Sequence, residues 1–83
     1  MISDLENRFE AAKEKFSREE TSLIFTKFEA EKILEETELA LALVSISNDE
    51  NEFKRRLKAL RNQLKDFLDL VDGLIELKRN YTV

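Results

Sequence analysis

The stretch SISNDEN at residues 45–51 decides the fold predicted for this chain. It is the richest cluster of turn and capping residues in a sequence with no proline and only one glycine. Ser47, followed three residues later by Glu50, has the spacing of a capping box, which marks the start of a helix. The sequence therefore predicts a turn at about residues 47–51, with a long helix on each side.

The helices themselves are predicted from apolar residues that recur at alternating steps of three and four, the a/d repeat of a coiled coil. After the turn, the repeat comprises Phe53, Leu57, Leu60, Leu64, Phe67, Val71, Leu74, Lys78 and Tyr81. Before the turn, it comprises Ile2, Leu5, Phe9, Ala12, Phe16, Glu19, Leu23, Thr26, Ala30, Ile33, Thr37, Ala40 and Val44. These repeats predict helix 1 over about 3–46 and helix 2 over about 51–80, in a single domain spanning 1–83.

Facing the two repeats head to tail gives a consistent register. It places Leu64 opposite Ile33, and it matches the charged member of each repeat, Glu19 with Lys78. The flanking charges pair in nearly the same register. Glu31 faces Lys65, Glu35 faces Arg61, Glu38 faces Lys58, and Lys27 faces Asp69. The sequence therefore predicts an all-α, antiparallel two-helix coiled-coil hairpin.

An alternative to the unbroken first helix comes from Ser17 and Glu20, which repeat the capping-box spacing. A helix start there would divide helix 1 near residues 16–18. The unshifted heptad frame across this point favours the single straight helix.

The hairpin leaves apolar surface without a partner. Helix 1 is longer than helix 2, so its first four repeat positions, Ile2 to Ala12, face nothing within the chain. Further apolar residues at e and g positions exceed what a two-helix seam buries. We therefore expect a four-helix bundle, formed by dimerisation or by binding a partner. The predicted partner interface comprises Ile2, Leu5, Phe9, Phe16, Ile24, Phe25, Phe28, Leu34, Leu41, Leu68, Leu70, Ile75 and Leu77.

Catalytic chemistry has little support in the composition. The chain has no histidine and no cysteine, so the common nucleophile–base pairs and most metal sites are absent. No glycine-rich phosphate loop or other cofactor motif occurs. We expect no enzymatic activity, no metal and no cofactor.

The basic stretch at residues 54–65 is the candidate for nucleic-acid contact, through Lys54, Arg55, Arg56, Lys58 and Arg61. Such a cluster can neutralise phosphates. The net charge of −4 and the predicted pairing with glutamates argue against it. No apolar run approaches the ~20 residues that span a bilayer, and the first residues lack the features of a signal peptide.

Together these features predict a cytoplasmic, non-enzymatic protein–protein interaction module, such as a small assembly factor, adaptor or chaperone. It would bury apolar helix faces against another helical chain, as a homodimer or a hetero-complex. The alternatives are a DNA-binding regulator that uses residues 54–65 and a purely structural homo-oligomer.

Overall fold

The computed structural model describes residues 2–46 and 51–81, which form α1 (Ile2–Ser17), α2 (Leu23–Val44) and α3 (Glu52–Tyr81). The predicted all-α class is confirmed, since the described residues contain no strand. Residues 47–50, with the predicted capping pair, lie outside the described residues. Asn51 caps α3, because its side-chain oxygen accepts a 2.8 Å hydrogen bond from the backbone N–H of Lys54.

The predicted single helix over 3–46 is wrong, because the chain turns between Ser17 and Leu23. The backbone there forms a Schellman motif, a pair of hydrogen bonds that closes a helix at its C-terminus. The backbone N–H of Glu20 donates to the carbonyl of Lys15 at 2.9 Å, and the backbone N–H of Glu19 donates to the carbonyl of Phe16 at 3.1 Å. Glu19 occupies the position after the cap with a φ of 57°, in the left-handed region usually taken by glycine.

Ser22 starts the next helix. Its hydroxyl oxygen accepts a 3.1 Å hydrogen bond from the backbone N–H of Phe25, so Ser22 is the N-cap of α2. Ser17, the alternative start, instead ends α1 and donates its hydroxyl to the carbonyl of Glu14. Glu19 therefore lies in a turn and not on the helical seam where the sequence places it opposite Lys78.

The turn lets α1 fold back onto the other two helices. The ring of Phe67 on α3 contacts two α1 rings edge-on, Phe9 at 5.5 Å and Phe16 at 5.4 Å between centroids. Phe9 is only 2% exposed. The expectation that the start of helix 1 lacks a partner within the chain is therefore wrong. Its four seam residues are buried: Ile2, Leu5, Phe9 and Ala12.

Ion pairs fix the direction of α1. Arg8 donates two hydrogen bonds to Glu36 of α2, at 3.0 and 2.8 Å. Arg56, near the start of α3, pairs with Glu6. Glu6 thus meets the start of α3, whereas Phe9 and Phe16 meet Phe67 further along it, so α1 runs parallel to α3 and antiparallel to α2. The chain is a three-helix bundle.

The helices α2 and α3 run antiparallel and form the largest interface of the bundle. The ion pairs between them differ from the predicted ones. Lys27 pairs with Asp72 at 2.9 Å, one turn beyond the predicted Asp69. Lys65 lies 3.9 Å from Glu38, one heptad beyond its predicted partner.

The third helix widens the buried face of the other two. A pair of helices buries only its a and d positions, whereas a helix that contacts two neighbours buries a wider face. Leu41 of α2 and Leu68 of α3, both at predicted e positions, are accordingly buried. The hydrophobic core comprises Ile2, Leu5, Phe9, Ala30, Ile33, Leu41, Leu57, Leu60, Leu64, Phe67, Leu68 and Val71.

Candidate docking surface

The helix α2 has apolar side chains on two opposite faces. Its inner face is buried in the bundle, through Ala30, Ile33 and Leu41 among others. Its outer face exposes large apolar side chains, which we call the outer α2 stripe: Phe25, Phe28, Leu39, Leu43 and, just past the helix end, Ile46. The exposed fractions run from 56% for Phe25 to 83% for Ile46. Apolar residues on both sides are typical of a helix that is covered on both sides, and such an exposed cluster marks an interaction surface.

Charged residues occupy the middle and the rim of the outer α2 stripe. Lys32 and Glu35, both exposed, lie between its aromatic and aliphatic ends. On the rim, the hydrogen bond from Arg8 lowers the pKa of Glu36, and the same bond raises the pKa of Arg8. Glu38, also on the rim, lies beside Lys65 of α3. Other helices of the same chain therefore offset part of the negative charge of α2.

The structure separates the predicted interface residues into three groups. Five are buried inside the chain and are not available to a partner: Ile2, Leu5, Phe9, Leu41 and Leu68. Three are half-buried against the core: Phe16, Leu34 and Ile75. Five are exposed: Ile24, Phe25, Phe28, Leu70 and Leu77. Only the exposed group remains a candidate, and three of its members lie together at the start of α2.

The predicted interface omits the C-terminal half of the outer α2 stripe, Leu39, Leu43 and Ile46, although Leu43 is one of the surplus apolar residues at g positions. A signal for it exists in the sequence. Residues 25, 28, 32, 35, 39, 42 and 46 alternate steps of three and four, which is a second a/d repeat on the face opposite the first. Tyr81, at the end of α3, is a member of the predicted seam, but its side chain is 81% exposed.

The basic stretch on α3 is largely engaged within the chain. Arg56 pairs with Glu6, which raises the pKa of Arg56. Arg61 donates two hydrogen bonds to the side chain of Asn62, both at 3.3 Å. Arg55 is exposed, whereas the predicted contacts Lys54 and Lys58 are half-buried. The predicted nucleic-acid residues therefore do not form one open basic surface.

An open cleft of about 780 Å³ lies where the turn between α1 and α2 meets the end of α3. Its walls include Phe16, Leu23, Leu74, Leu77, Lys78 and Tyr81. Within residues 2–46 and 51–81, no group of three acidic, histidine or cysteine side chains is placed to hold a metal ion. None of the described helices has the length and apolar character needed to cross a membrane.

No known protein family, curated protein or solved structure matches this chain. The fold and surface define it by class alone: a small three-helix bundle whose second helix exposes an apolar face. The outer α2 stripe is therefore the feature that indicates a function.

Proposed function

We propose that the chain is a non-enzymatic interaction module that docks another helical chain on the outer α2 stripe. The observation that supports this proposal is the pair of opposite apolar faces on α2, one buried and one exposed. Burying a side chain the size of Phe28 or Leu39 contributes about 1.5–3 kcal/mol, so several such residues supply the free energy of a protein interface.

The proposal revises the assembly expected from the hairpin. In the expected four-helix bundle, two helices of a partner would cover the inner faces of a two-helix hairpin. In the structure, α1 already covers the inner faces of α2 and α3. The partner helix would instead lie outside the bundle, along α2. Amphipathic helices bind partner proteins through their apolar faces in this way.

A DNA-binding role is less well supported, because Arg56 pairs with Glu6 within the chain and the net charge is −4. Salt separates the two functions. Docking through apolar surface should survive about 0.5 M salt, whereas phosphate binding weakens steeply as salt rises.

The test compares two leucines that are exposed to a similar degree, Leu39 at 63% and Leu70 at 54%. Leu39→Glu places a charge in the outer α2 stripe, and Leu70→Glu places the same charge on α3. The partner is first identified by native purification and mass spectrometry, and binding is then reconstituted with purified chains. We expect Leu39→Glu to abolish the complex and Leu70→Glu to retain it, with helicity unchanged by circular dichroism.

Phe28→Glu extends the test to the aromatic end of the stripe and should behave like Leu39→Glu. Full binding by both stripe variants would contradict the proposal. Loss of binding in Leu70→Glu alone would move the docking surface to α3.

A further inference from the structure

The outer α2 stripe has a symmetry that indicates its occupant. The a/d repeat over residues 25–42 is apolar at both ends and charged in the middle, with Lys32 at an a position and Glu35 at the following d position. Antiparallel helices pair a positions with d positions across their seam. A copy of α2 turned end to end therefore brings Lys32 opposite Glu35 twice, about one two-fold axis.

Building on the proposed function, we propose that the partner on this surface is a second copy of the chain, bound through α2 in antiparallel orientation. In the register set by the central charges, Phe25 faces Ala42 of the second copy and Phe28 faces its Leu39. An aromatic residue thus meets a small or aliphatic one in each of the four outer layers, as close packing requires. The interface is self-complementary, which two-fold symmetry demands.

A parallel arrangement lacks this complementarity. It would place Lys32 against Lys32 and Glu35 against Glu35, and like charges across an interface are destabilising. It would also place Phe28 against Phe28 and leave Ala42 against Ala42, so large residues would meet large ones and small would meet small. The charge pattern and the size pattern both favour the antiparallel pair.

The rim charges are compatible with this register. It brings Glu29 near Glu36 of the second copy, and Glu31 near Glu38. Glu36 is bonded to Arg8 of its own chain, and Glu38 lies 3.9 Å from Lys65. Each facing pair of glutamates thus includes one that has a cation beside it, which reduces their repulsion.

The size of the surface sets the strength of the dimer. The 22 residues of α2 span about 33 Å, which accommodates six layers of facing residues. Standard stable interfaces use about 20–30 residues on each side. One face of α2 offers fewer, so we expect a reversible dimer whose population rises with concentration.

The test uses charge reversal in the full-length chain, followed by sedimentation equilibrium. Lys32→Glu makes both central layers Glu–Glu, and Glu35→Lys makes both Lys–Lys. Each single variant should weaken the dimer about tenfold or more. An equimolar mixture of the two variants should form a 1:1 heterodimer, because every central layer then pairs opposite charges. The double variant should recover the wild-type dimer.

Glu76→Lys, an equal change of charge at an exposed position of α3, is the control and should dimerise like the wild type. Single variants that dimerise as strongly as the wild type would overturn the antiparallel register. In a parallel dimer, like charges face each other in the wild type and in the single variants alike. A wild-type chain that remains monomeric up to about 1 mM would overturn the homodimer altogether. If the Leu39→Glu variant then fails to bind a different, identified partner, the proposed function still stands. Failure of the homodimer and failure of the proposed function are therefore distinguishable.

Discussion

Phe9 provides the sharpest test of the three-helix bundle, because a hairpin and a bundle make opposite predictions for it. In the structure Phe9 is 2% exposed, and its ring contacts Phe67 edge-on at 5.5 Å. Removing a buried phenylalanine side chain loses its transfer free energy and leaves a cavity. We therefore expect Phe9→Ala to lower the free energy of unfolding by about 3–5 kcal/mol. That is a large share of the roughly 5–15 kcal/mol typical of a domain.

The contact with Phe67 adds a second measurable quantity. Aromatic pairs in edge-on geometry contribute about 0.5–1.5 kcal/mol beyond the area that they bury. A double-mutant cycle of Phe9→Ala and Phe67→Ala should yield a coupling free energy of this size. The milder Phe9→Leu and Phe67→Leu variants provide a second cycle if the alanine variants unfold.

The assay is urea denaturation followed by circular dichroism, repeated over a hundredfold range of protein concentration. Because α1 docks within its own chain, the loss caused by Phe9→Ala should be independent of concentration. An effect below about 1 kcal/mol would show that Phe9 is not buried. An effect that shrinks as the protein is diluted would place α1 against another molecule and refute the folded-back helix.

The remaining predictions concern the turn and the ion pairs. Glu19→Gly should stabilise the chain by about 0.5–1 kcal/mol, because glycine adopts a φ of 57° without the strain of a side chain. The control Glu20→Gly should not stabilise the chain. A Glu20→Gly variant that is more stable to denaturation than Glu19→Gly would contradict the Schellman geometry. Glu36→Gln should lower the melting temperature near neutral pH, because it weakens the bond to Arg8. That bond lowers the pKa of Glu36 in the folded state, so its contribution is complete above the ordinary value of 4.5 and is lost as pH falls through the lowered pKa. The melting temperatures of the wild type and of the Glu36→Gln variant should therefore converge in acid, and a constant difference would contradict the assignment.

The candidate docking surface was only partly predictable from the sequence. Phe25 and Phe28 are recognisable because they lie opposite the main seam, and the structure exposes both. Leu41 and Leu68 are predicted at the interface but are buried, because a third helix covers positions that are open in a hairpin. Leu39 and Leu43 were left out of the predicted interface because the apolar run at residues 39–44 serves both faces of α2. Ile46 was left out because it falls within the turn-rich stretch 45–51.

The sequence by itself determined the all-α class and most of the residues that form the seam, because apolar residues at alternating steps of three and four lie on one face of a helix. Glu19, Lys78 and Tyr81 are exceptions, since the structure exposes all three. The sequence did not determine where α1 lies. A heptad frame that crosses residues 17–22 without a shift is equally consistent with a straight helix and with two helices that fold back. The tertiary structure decides between them through burial. Bending the chain strains Glu19 by about 1–2 kcal/mol. Covering Phe9 and Leu5 within the same molecule contributes about 1.5–3 kcal/mol each, which is more than the bend costs.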